Sequence, residues 1–287
     1  MSRPGRVPDD VAMPEGHTLF ALARDLDGAF RGTQPRASSP QGRFAAGAAL
    51  LSGRTFVHAT SWGKHLFAEF DGDAWLHVHL GLIGTFTIDQ VPYAGELPVV
   101  GQVRLRLATD EHVADLRGPN LCAVITPEQV EAVRSRLGPD PLRPDPDPDL
   151  AWRRISRSSK GVGELLMDQS VLAGVGNVYR CEVLFRQRVD PFRPGKEIRR
   201  STWDAIWLDL VELLPLGVAT GRIVTVREQV EEVQAAVQAG TVERLQERTS
   251  YVYRRNGEPC LVCGSRIRTQ AVAGRNLYWC GRCQRRR

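Results

Sequence analysis

Two pairs of cysteines near the C-terminus constrain the fold of this chain more than any other feature of its sequence. Cys260 and Cys263 form one pair, sixteen residues follow, and Cys280 and Cys283 form the other. Each pair can offer two thiolates from one tight turn, and four thiolates complete a tetrahedral zinc shell with no open position. The spacing therefore predicts one structural zinc ion. Two disulfides or four unrelated cysteines are the alternatives, and disulfides are disfavoured because nothing in the sequence argues for export.

The segment around these cysteines is strongly basic. Residues 264–279, between the two pairs, have the pattern of two short strands around a turn at 273–276. From Ser250 to Arg287 there are nine Arg and one acid, Glu258, which gives +8, whereas the whole chain carries +5. A metal-stapled hairpin with this charge suits a polyanion, most simply nucleic acid. A solvated basic tail is the alternative.

The composition is that of a soluble protein with room for two domains. The chain has 287 residues, of which 42% are hydrophobic and 25% charged. No run of eighteen apolar residues occurs, and residues 1–12 lack an apolar signal core, so the sequence supports neither a membrane span nor secretion. We therefore expect a cytoplasmic protein. Cys122 and Cys181 lie in apolar surroundings and are expected to be ordinary buried thiols.

The N-terminal half has the pattern of a helix followed by strands. Residues 1–12 contain Pro, Gly and mixed charges without periodicity, which predicts an unstructured leader. Apolar residues at helical spacing follow over Leu19–Phe30, and period-two alternation follows in five stretches over Thr55–Leu107. We therefore expect an α+β fold whose N-terminal domain, 13–138, is an antiparallel β-sandwich with a leading helix.

The C-terminal half has helical patterns and then the cysteines. Alternating Pro and Asp within 139–150 cannot continue a helix or a sheet, which predicts a domain linker. The segment 151–250 is expected to be a helical domain, with helices over Val178–Gln187 and Trp203–Leu216 among others. The last segment, 251–287, is expected to hold the zinc-finger hairpin and the basic tail.

A glycine-rich interruption separates two of the predicted helices. It runs from Val171 to Asn177, and Gly174 and Gly176 are placed where a backbone can approach closely. Such a turn before a helix can offer unpaired backbone N–H groups to phosphate oxygens. A plain tight connection in a helical bundle is the alternative. Beside a basic hairpin, a two-point clamp on a nucleic-acid backbone is the better interpretation.

Five motifs, in order along the chain, carry a family resemblance: Met13-Pro14-Glu15-Gly16-His17-Thr18, Trp62-Gly63-Lys64-His65-Leu66, His77 to Gly84, Asp168-Gln169 with Leu172 to Tyr179, and the four-cysteine finger. Together they resemble the formamidopyrimidine-DNA glycosylase / endonuclease VIII family over nearly all of residues 13–283. The Pro-Glu-Gly-His-Thr opening and Gly-Lys-His-Leu are most similar to the endonuclease VIII branch of actinobacteria. The resemblance implies a helix-two-turn-helix DNA-binding domain within 151–250.

The resemblance also implies bifunctional base excision. The amine of an N-terminal Pro14 would attack C1′ of a damaged nucleotide, expel the base and hold the sugar as an iminium. An α-amino group has a pKa of about 8 against about 10.4 for Lys, so far more of it is neutral at pH 7. A secondary amine forms a permanently cationic iminium, which favours β- and then δ-elimination. Glu15 would be the acid/base, and Lys64 would be a third catalytic residue that contacts the phosphates flanking the lesion and assists catalysis.

Four further residues take DNA-binding roles from the same resemblance. Leu82 and Ile83 would fill the space that an extruded base leaves in the duplex. Gly81 departs from the Gln of the best-known endonuclease VIII pattern, so contact with the orphaned base would be weaker or supplied elsewhere. Asn177 would bind phosphate, and Arg275 at the finger tip would grip the phosphates beside the lesion.

The position of Pro14 within the sequence leaves two explanations open. As written, its nitrogen is a tertiary amide and cannot form an iminium. Either translation starts at Met13 and the initiator is removed, or the leader is retained and the protein is a non-catalytic, zinc-dependent DNA-damage-binding relative. The first is favoured because Glu15, Lys64 and Arg275 are all present.

Taken together, these features predict a cytoplasmic, nucleoid-associated monomer that acts on damaged DNA. The expected activity is removal of oxidised pyrimidines, followed by nicking of the abasic site. Removal of oxidised purines such as 8-oxoguanine is the alternative within enzymes. The choice between the two depends on the segment 222–250, whose fold the sequence does not indicate.

Overall fold

The computed structural model describes residues 14–91, 97–242 and 249–285, which form two compact units. Pro14 and Leu22–Val133 belong to the first unit, and Glu15–Ala21 with the residues from Arg134 onward belong to the second. The N-terminal helix α1 (Gly16–Phe30) therefore contributes its residues up to Ala21 to the second unit and the remainder to the first. No helix of the described residues has the length and hydrophobicity needed to cross a membrane.

The first unit is an antiparallel β-sandwich, as the alternating pattern predicts. Outside residues 92–96, which the structure does not describe, its strands are β1 (Arg36–Ser38), β2 (Phe56–Trp62), β3 (His65–Phe70), β4 (Ala74–His79), β5 (Thr85–Gln90), β6 (Val103–Ala108), β7 (His112–Arg117) and β8 (Leu121–Ile125). They form two four-stranded sheets, in the orders β1-β6-β7-β5 and β2-β3-β4-β8. Two helices, α2 (Ala45–Leu51) and α3 (Pro127–Arg134), complete the unit.

The core of the first unit follows from the alternation of its strands. Every second residue of β6 is buried, as expected for a strand with one face on the core. Phe30 of α1 contacts Phe56 of β2, with ring centroids 6.0 Å apart, and Phe56 contacts Phe70 of β3 at 5.2 Å. Such aromatic contacts add to the free energy gained by burying apolar surface.

The pattern missed strand β7 because both of its faces are buried: residues 113–116 are buried in succession, so its apolar residues do not alternate with exposed ones. Asp115 is only 3% exposed. Its carboxylate accepts two hydrogen bonds from Arg106 on β6, both 2.8 Å long, and one from Arg117. A buried carboxylate is tolerated when it is paired in this way. Strand β8 was missed as well, because all five of its residues are apolar and its sequence therefore shows no alternation.

The second unit is helical and ends in a hairpin. Its helices after α1 are α4 (Pro148–Ile155), α5 (Val162–Leu165), α6 (Asn177–Arg186), α7 (Arg200–Thr220) and α8 (Arg227–Gln238), and its hairpin pairs β9 (Arg268–Val272) with β10 (Arg275–Trp279). The two turns between α5 and α6 make this a helix-two-turn-helix. Helix α7 is longer than the predicted Trp203–Leu216 and continues past Pro215 to Gly221, which has the left-handed conformation favoured at helix ends.

The Pro/Asp segment 139–150 lies within the second unit. Asp140 is buried, and the Pro139 carbonyl accepts a 3.0 Å hydrogen bond from the Ala173 N–H. The side chain of Asp147 accepts hydrogen bonds from two N–H groups of the first turn of α4, and Pro148 occupies the start of that helix. Asp before a helix and Pro at its first position are standard start signals, so part of this segment starts a helix.

One buried carboxylate closes the segment 226–250 at both of its ends. Glu182 of α6 is fully buried and accepts hydrogen bonds of 2.7 to 2.8 Å from the backbone N–H groups of Tyr251, Val252 and Tyr253. The hydroxyl of Thr225 donates a fourth, of 2.7 Å, to the same carboxylate. Because Thr225 precedes the segment and Tyr251 follows it, Glu182 holds both ends together.

Candidate active site

Glu15, the predicted acid/base, is a buried carboxylate at the start of helix α6. It is 1% exposed, and its two oxygens accept hydrogen bonds of 2.8 Å from the N–H groups of Gly176 and Val178. The N-terminus of a helix carries unpaired N–H groups and a partial positive charge, both of which favour an anion. The arrangement therefore stabilises Glu15 as a charged carboxylate in one fixed orientation. Pro14, immediately before it, is half-buried.

The close backbone approach predicted at Gly174 and Gly176 is made to residues of this chain. The Gly16 N–H donates a 2.8 Å hydrogen bond to the Gly174 carbonyl, and a side chain at Gly16 would come within 2.7 Å of the Gly174 backbone. A side chain at Gly176 would collide with the Glu15 carboxyl group. The N–H groups of these two glycines are used within the chain, because Gly176 donates to Glu15 and Gly174 donates to Gln169.

Asn177, the predicted phosphate ligand, joins helix α6 to the hairpin. Its side chain is 5% exposed, and its amide nitrogen donates a 2.9 Å hydrogen bond to the carbonyl of Asn276. Its amide oxygen accepts a hydrogen bond from Arg180, which is fully buried and also donates to the Val272 carbonyl. Burial lowers the pKa of Arg180. Sequence reasoning missed Arg180, although its position one turn after Asn177 places both on one helix face.

Arg275, the predicted finger-tip residue, begins strand β10 directly after the two-residue turn 273–274. It is half-buried, and its guanidinium donates a 2.9 Å hydrogen bond to the Gly274 carbonyl. No carboxylate pairs with it in the part of the chain that the structure describes. Asn276 is the next residue, so the contact with Asn177 places Arg275 beside the start of α6. Glu15, Asn177 and Arg275 therefore belong to one continuous region of the second unit.

The four predicted metal ligands converge at the base of the hairpin. The sulfur atoms of Cys260, Cys263, Cys280 and Cys283 all lie within 4.8 Å of one another. Two of the separations are 3.9 Å and 3.5 Å. A tetrahedron with metal–sulfur bonds of about 2.3 Å has edges of about 3.8 Å, so the spacing fits one bound metal ion. The four cysteines can hold such an ion with no further ligand.

In the first unit, Lys64 lies in the two-residue turn between β2 and β3, beside a cluster of three histidines. His65 Nδ1 is 2.9 Å from His77 Nε2, and the rings of His65 and His79 are 5.0 Å apart. Burial lowers the pKa of His65 to about 3 and that of His77 to about 4. Burial and the charge of Lys64 lower the pKa of His79 as well. At neutral pH the cluster is uncharged; sequence reasoning assigned it no role.

Leu82 and Ile83, the residues predicted to fill the space that an extruded base leaves, lie in an exposed turn that follows β4. We call residues 81–84 the wedge turn and Leu82 and Ile83 the wedge residues. Leu82 is 45% and Ile83 is 68% exposed. The turn is closed by a 3.1 Å hydrogen bond from the Gly84 N–H to the Leu80 carbonyl. His79 Nδ1 accepts a second, also 3.1 Å, from the Gly81 N–H two residues later. His79 thus accepts a hydrogen bond from the backbone of this turn, as an Asn side chain does in an Asx-turn. Because His79 is also a member of the histidine cluster, it links the turn to the residues beside Lys64.

Three family models match consecutive parts of the chain. The Formamidopyrimidine-DNA glycosylase N-terminal domain matches residues 13–120, the Formamidopyrimidine-DNA glycosylase H2TH domain matches residues 137–229, and the Zinc finger found in FPG and IleRS matches residues 257–286. With the β-sandwich, the helix-two-turn-helix and the four-cysteine hairpin, these matches define the class of protein as a DNA glycosylase.

Similarity to individual proteins shows which family of DNA glycosylases the chain belongs to. The chain is 51% identical over 274 residues to "Endonuclease 8 1" of Mycobacterium tuberculosis, covering 95% of this chain and 100% of that protein. It is 31% identical over 282 residues to "Endonuclease 8" of Escherichia coli, with the same coverage. A crystal structure of Lactococcus lactis Fpg with abasic-site DNA has the same fold, with a TM-score of 0.76 and 22% identity over 95% of this chain and 100% of that one. This chain belongs to the formamidopyrimidine-DNA glycosylase / endonuclease VIII family.

Proposed function

We propose that this protein is a bifunctional DNA glycosylase and AP lyase of base excision repair that removes oxidised pyrimidines. The observation that carries the proposal is the pair Pro14-Glu15. The residue that follows the proposed nucleophile is a buried carboxylate held by two backbone N–H groups. The identity with the endonuclease 8 proteins of M. tuberculosis and E. coli supports the endonuclease VIII branch.

The proposed reaction begins with the neutral amine of Pro14. Its lone pair forms a bond to C1′, and the bond from C1′ to the damaged base breaks with its electron pair going to the base. Glu15 accepts the proton that the nitrogen loses and delivers it to the ring oxygen as the C1′–O4′ bond opens, which forms the iminium. Glu15, a carboxylate again after this transfer, accepts the C2′ proton, and the electrons of the C2′–H bond form a double bond as the 3′ phosphate leaves. A second elimination, with loss of a further proton, expels the 5′ phosphate. The reaction requires a mature chain whose first residue is Pro14.

The products of the reaction test the proposed function. Short duplexes would carry either an oxidised pyrimidine, such as thymine glycol, or 8-oxoguanine at one labelled position. We expect the protein to release the oxidised pyrimidine at least tenfold faster and to leave phosphate on both ends of a one-nucleotide gap. A faster reaction with 8-oxoguanine would assign the oxidised-purine specificity instead. Binding without base release would contradict the enzyme proposal.

Lys64 and the hairpin are proposed to bind the DNA backbone around the lesion. Lys64 would contact the flanking phosphates, and Leu82 with Ile83 would enter the space left by the base. Asn177 is proposed to act through the hairpin tip, because its side chain holds Asn276 next to Arg275. The monomeric state and the location at the nucleoid stay predictions.

Replacing Arg275 by Ala is expected to weaken binding to every duplex, damaged or not. If Arg275 neutralises one phosphate, the slope of log K against log salt concentration should become less steep by about 0.9. The measurement is a titration at several salt concentrations. Arg200→Ala is the matched control, because Arg200 is exposed but already paired with Asp149 and Asp204. An unchanged slope for Arg275→Ala would remove Arg275 from the DNA contact.

The metal in the four-cysteine site is proposed to be one structural zinc ion. Four thiolates suit zinc and leave no position for substrate. Removing the metal with a chelator is expected to unfold the hairpin and weaken DNA binding, while the β-sandwich stays folded. Metal release can be followed with a coloured chelator and folding by circular dichroism. Loss of the β-sandwich signal at the same chelator concentration would contradict this role.

A further inference from the structure

The DNA strand opposite the lesion is left with an unpaired base, and the wedge residues do not provide hydrogen bonds to it. When the damaged nucleotide leaves the stack, the base that it was paired with loses its hydrogen-bond partners. The side chains of Leu82 and Ile83 can fill the space but have no group that forms hydrogen bonds. An unpaired donor or acceptor in a water-poor site carries a free-energy penalty. A polar side chain beside the wedge turn would relieve it.

We infer that Asn120 forms hydrogen bonds with the orphaned base. This inference rests on the proposed function, because it requires base extrusion. Asn120 is exposed and lies in the short loop between β7 and β8. Its side chain covers Gly81, the first residue of the wedge turn. A Cβ atom built on Gly81 would be 2.9 Å from Asn120 Cβ and 3.5 Å from Asn120 Oδ1. The Asn120 amide therefore occupies the space that a side chain at position 81 would take.

The backbone holds Asn120 in this place. Its N–H donates a 2.9 Å hydrogen bond to the carbonyl of His79, at the end of β4. At the other end of the loop, Gly118 approaches Gly84 and Ile83: a Cβ atom built there would be 4.0 Å from the Ile83 carbonyl oxygen. The β7–β8 loop therefore follows the wedge turn along its length. Gly81 has a φ of +74°, a conformation that favours glycine.

The side-chain amide of Asn120 is not used in hydrogen bonds that hold the turn together. His79 Nδ1 is occupied by the Gly81 N–H, and the Gly84 N–H is occupied by the Leu80 carbonyl. Within residues 14–91, 97–242 and 249–285, the side chain of Asn120 makes no hydrogen bond. Its oxygen and nitrogen are thus available to a base placed against the turn.

An amide suits either purine. Adenine offers a donor at N6 and an acceptor at N1, and guanine offers an acceptor at O6 and donors at N1 and N2. The amide has one acceptor and two donors, and a half-turn about its last bond exchanges them. It can therefore match both edges, and these are the bases that stand opposite pyrimidine lesions. We expect Asn120 to provide affinity for both purines with little preference between them.

The test uses duplexes that contain a stable abasic-site analogue opposite adenine, opposite guanine, or opposite a second spacer without a base. We expect Asn120→Ala to weaken binding about tenfold when a purine is opposite, a loss typical of one or two hydrogen bonds. Binding should change by less than twofold when no base is opposite. Gln41→Ala is the matched control, because Gln41 carries an exposed amide elsewhere in the same unit. It should bind all three duplexes as the unchanged protein does.

A second variant, Asn120→Asp, changes the chemistry without changing the size. A carboxylate can accept from N1–H and N2–H of guanine, but opposite adenine it faces the N1 lone pair. The ratio of affinities should therefore shift about tenfold towards guanine. A general loss of affinity from the added negative charge cancels in this ratio. A purely structural role for Asn120 would leave the ratio unchanged.

Two results would overturn the inference. Equal losses on all three duplexes, or no loss on any, would show that Asn120 does not contact the orphaned base. Neither result would affect the proposed function, which base release by the unchanged protein tests separately. If the unchanged protein bound abasic-site duplexes no better than intact DNA and released no base, the proposed function and this inference would both fail.

Discussion

A chain that begins at Pro14 is expected to become covalently bound to abasic-site DNA in the presence of borohydride. Borohydride reduces an iminium to a stable amine, so trapping reports the nitrogen that attacks C1′. When the Pro14 nitrogen is part of a peptide bond, its lone pair is delocalised and the iminium cannot form. A lysine that replaced it would be neutral far less often at pH 7, so trapping should fall by about two orders of magnitude or more.

The matched control is a chain that keeps residues 1–13 and carries Met13→Leu, which blocks an internal start. The two proteins differ only upstream of Pro14, so a difference in trapping belongs to its nitrogen. Equal trapping by both forms would show that another amine is the nucleophile. The intact mass of the protein from its natural host would then show which form the cell contains.

Replacing Glu15 by Gln is expected to lower the rate of base release by about 10² to 10⁴, the range for loss of a positioned acid/base. The substitution also affects folding. Gln can accept one of the two backbone hydrogen bonds, but its NH₂ group would face the other N–H donor. The free energy of unfolding should therefore fall by about 1–3 kcal/mol. Single-turnover rates at saturating enzyme and thermal unfolding measure the two effects separately.

Glu182→Gln is the control that separates the two effects. Glu182 is also a buried carboxylate of the second unit that accepts backbone N–H groups, and it has no proposed part in the reaction. We expect this variant to be less stable but to release base within a few-fold of the normal rate at a temperature where it is folded. If Glu15→Gln showed the same behaviour, Glu15 would be a structural residue and not the acid/base.

Local patterns allowed much of the fold to be predicted. Strands β2 to β6 and helices α6 and α7 were predicted from the spacing of their apolar residues, and the cysteine spacing indicates a closed metal site before any coordinate is known. Strand β7 was missed because residues 113–116 are buried on both of its faces, so its apolar residues do not alternate with exposed ones. Pairing with Arg106 and Arg117 lets the charged Asp115 be one of these buried residues, which residue type alone does not indicate.

The candidate site could be predicted by residue type but not by arrangement. Glu15 receives its hydrogen bonds from residues 161 and 163 positions away, and no spacing rule connects residues that far apart. For the same reason, the sequence did not indicate that Glu15 and Gln169 accept the N–H groups of the two glycines before α6. The histidine cluster was missed because cross-strand register, and not sequence distance, brings His65 to His77.

The carboxylate of Glu182 also has a consequence for how members of this family can diverge. This carboxylate accepts hydrogen bonds from Thr225 and from the backbone of Tyr251 to Tyr253. The two ends of the segment 226–250 are therefore anchored at the same place in the second unit. Exchanging the stretch between these two anchor points for that of a homologue is therefore expected to leave helices α6 and α7 folded, whatever its effect on the choice of lesion.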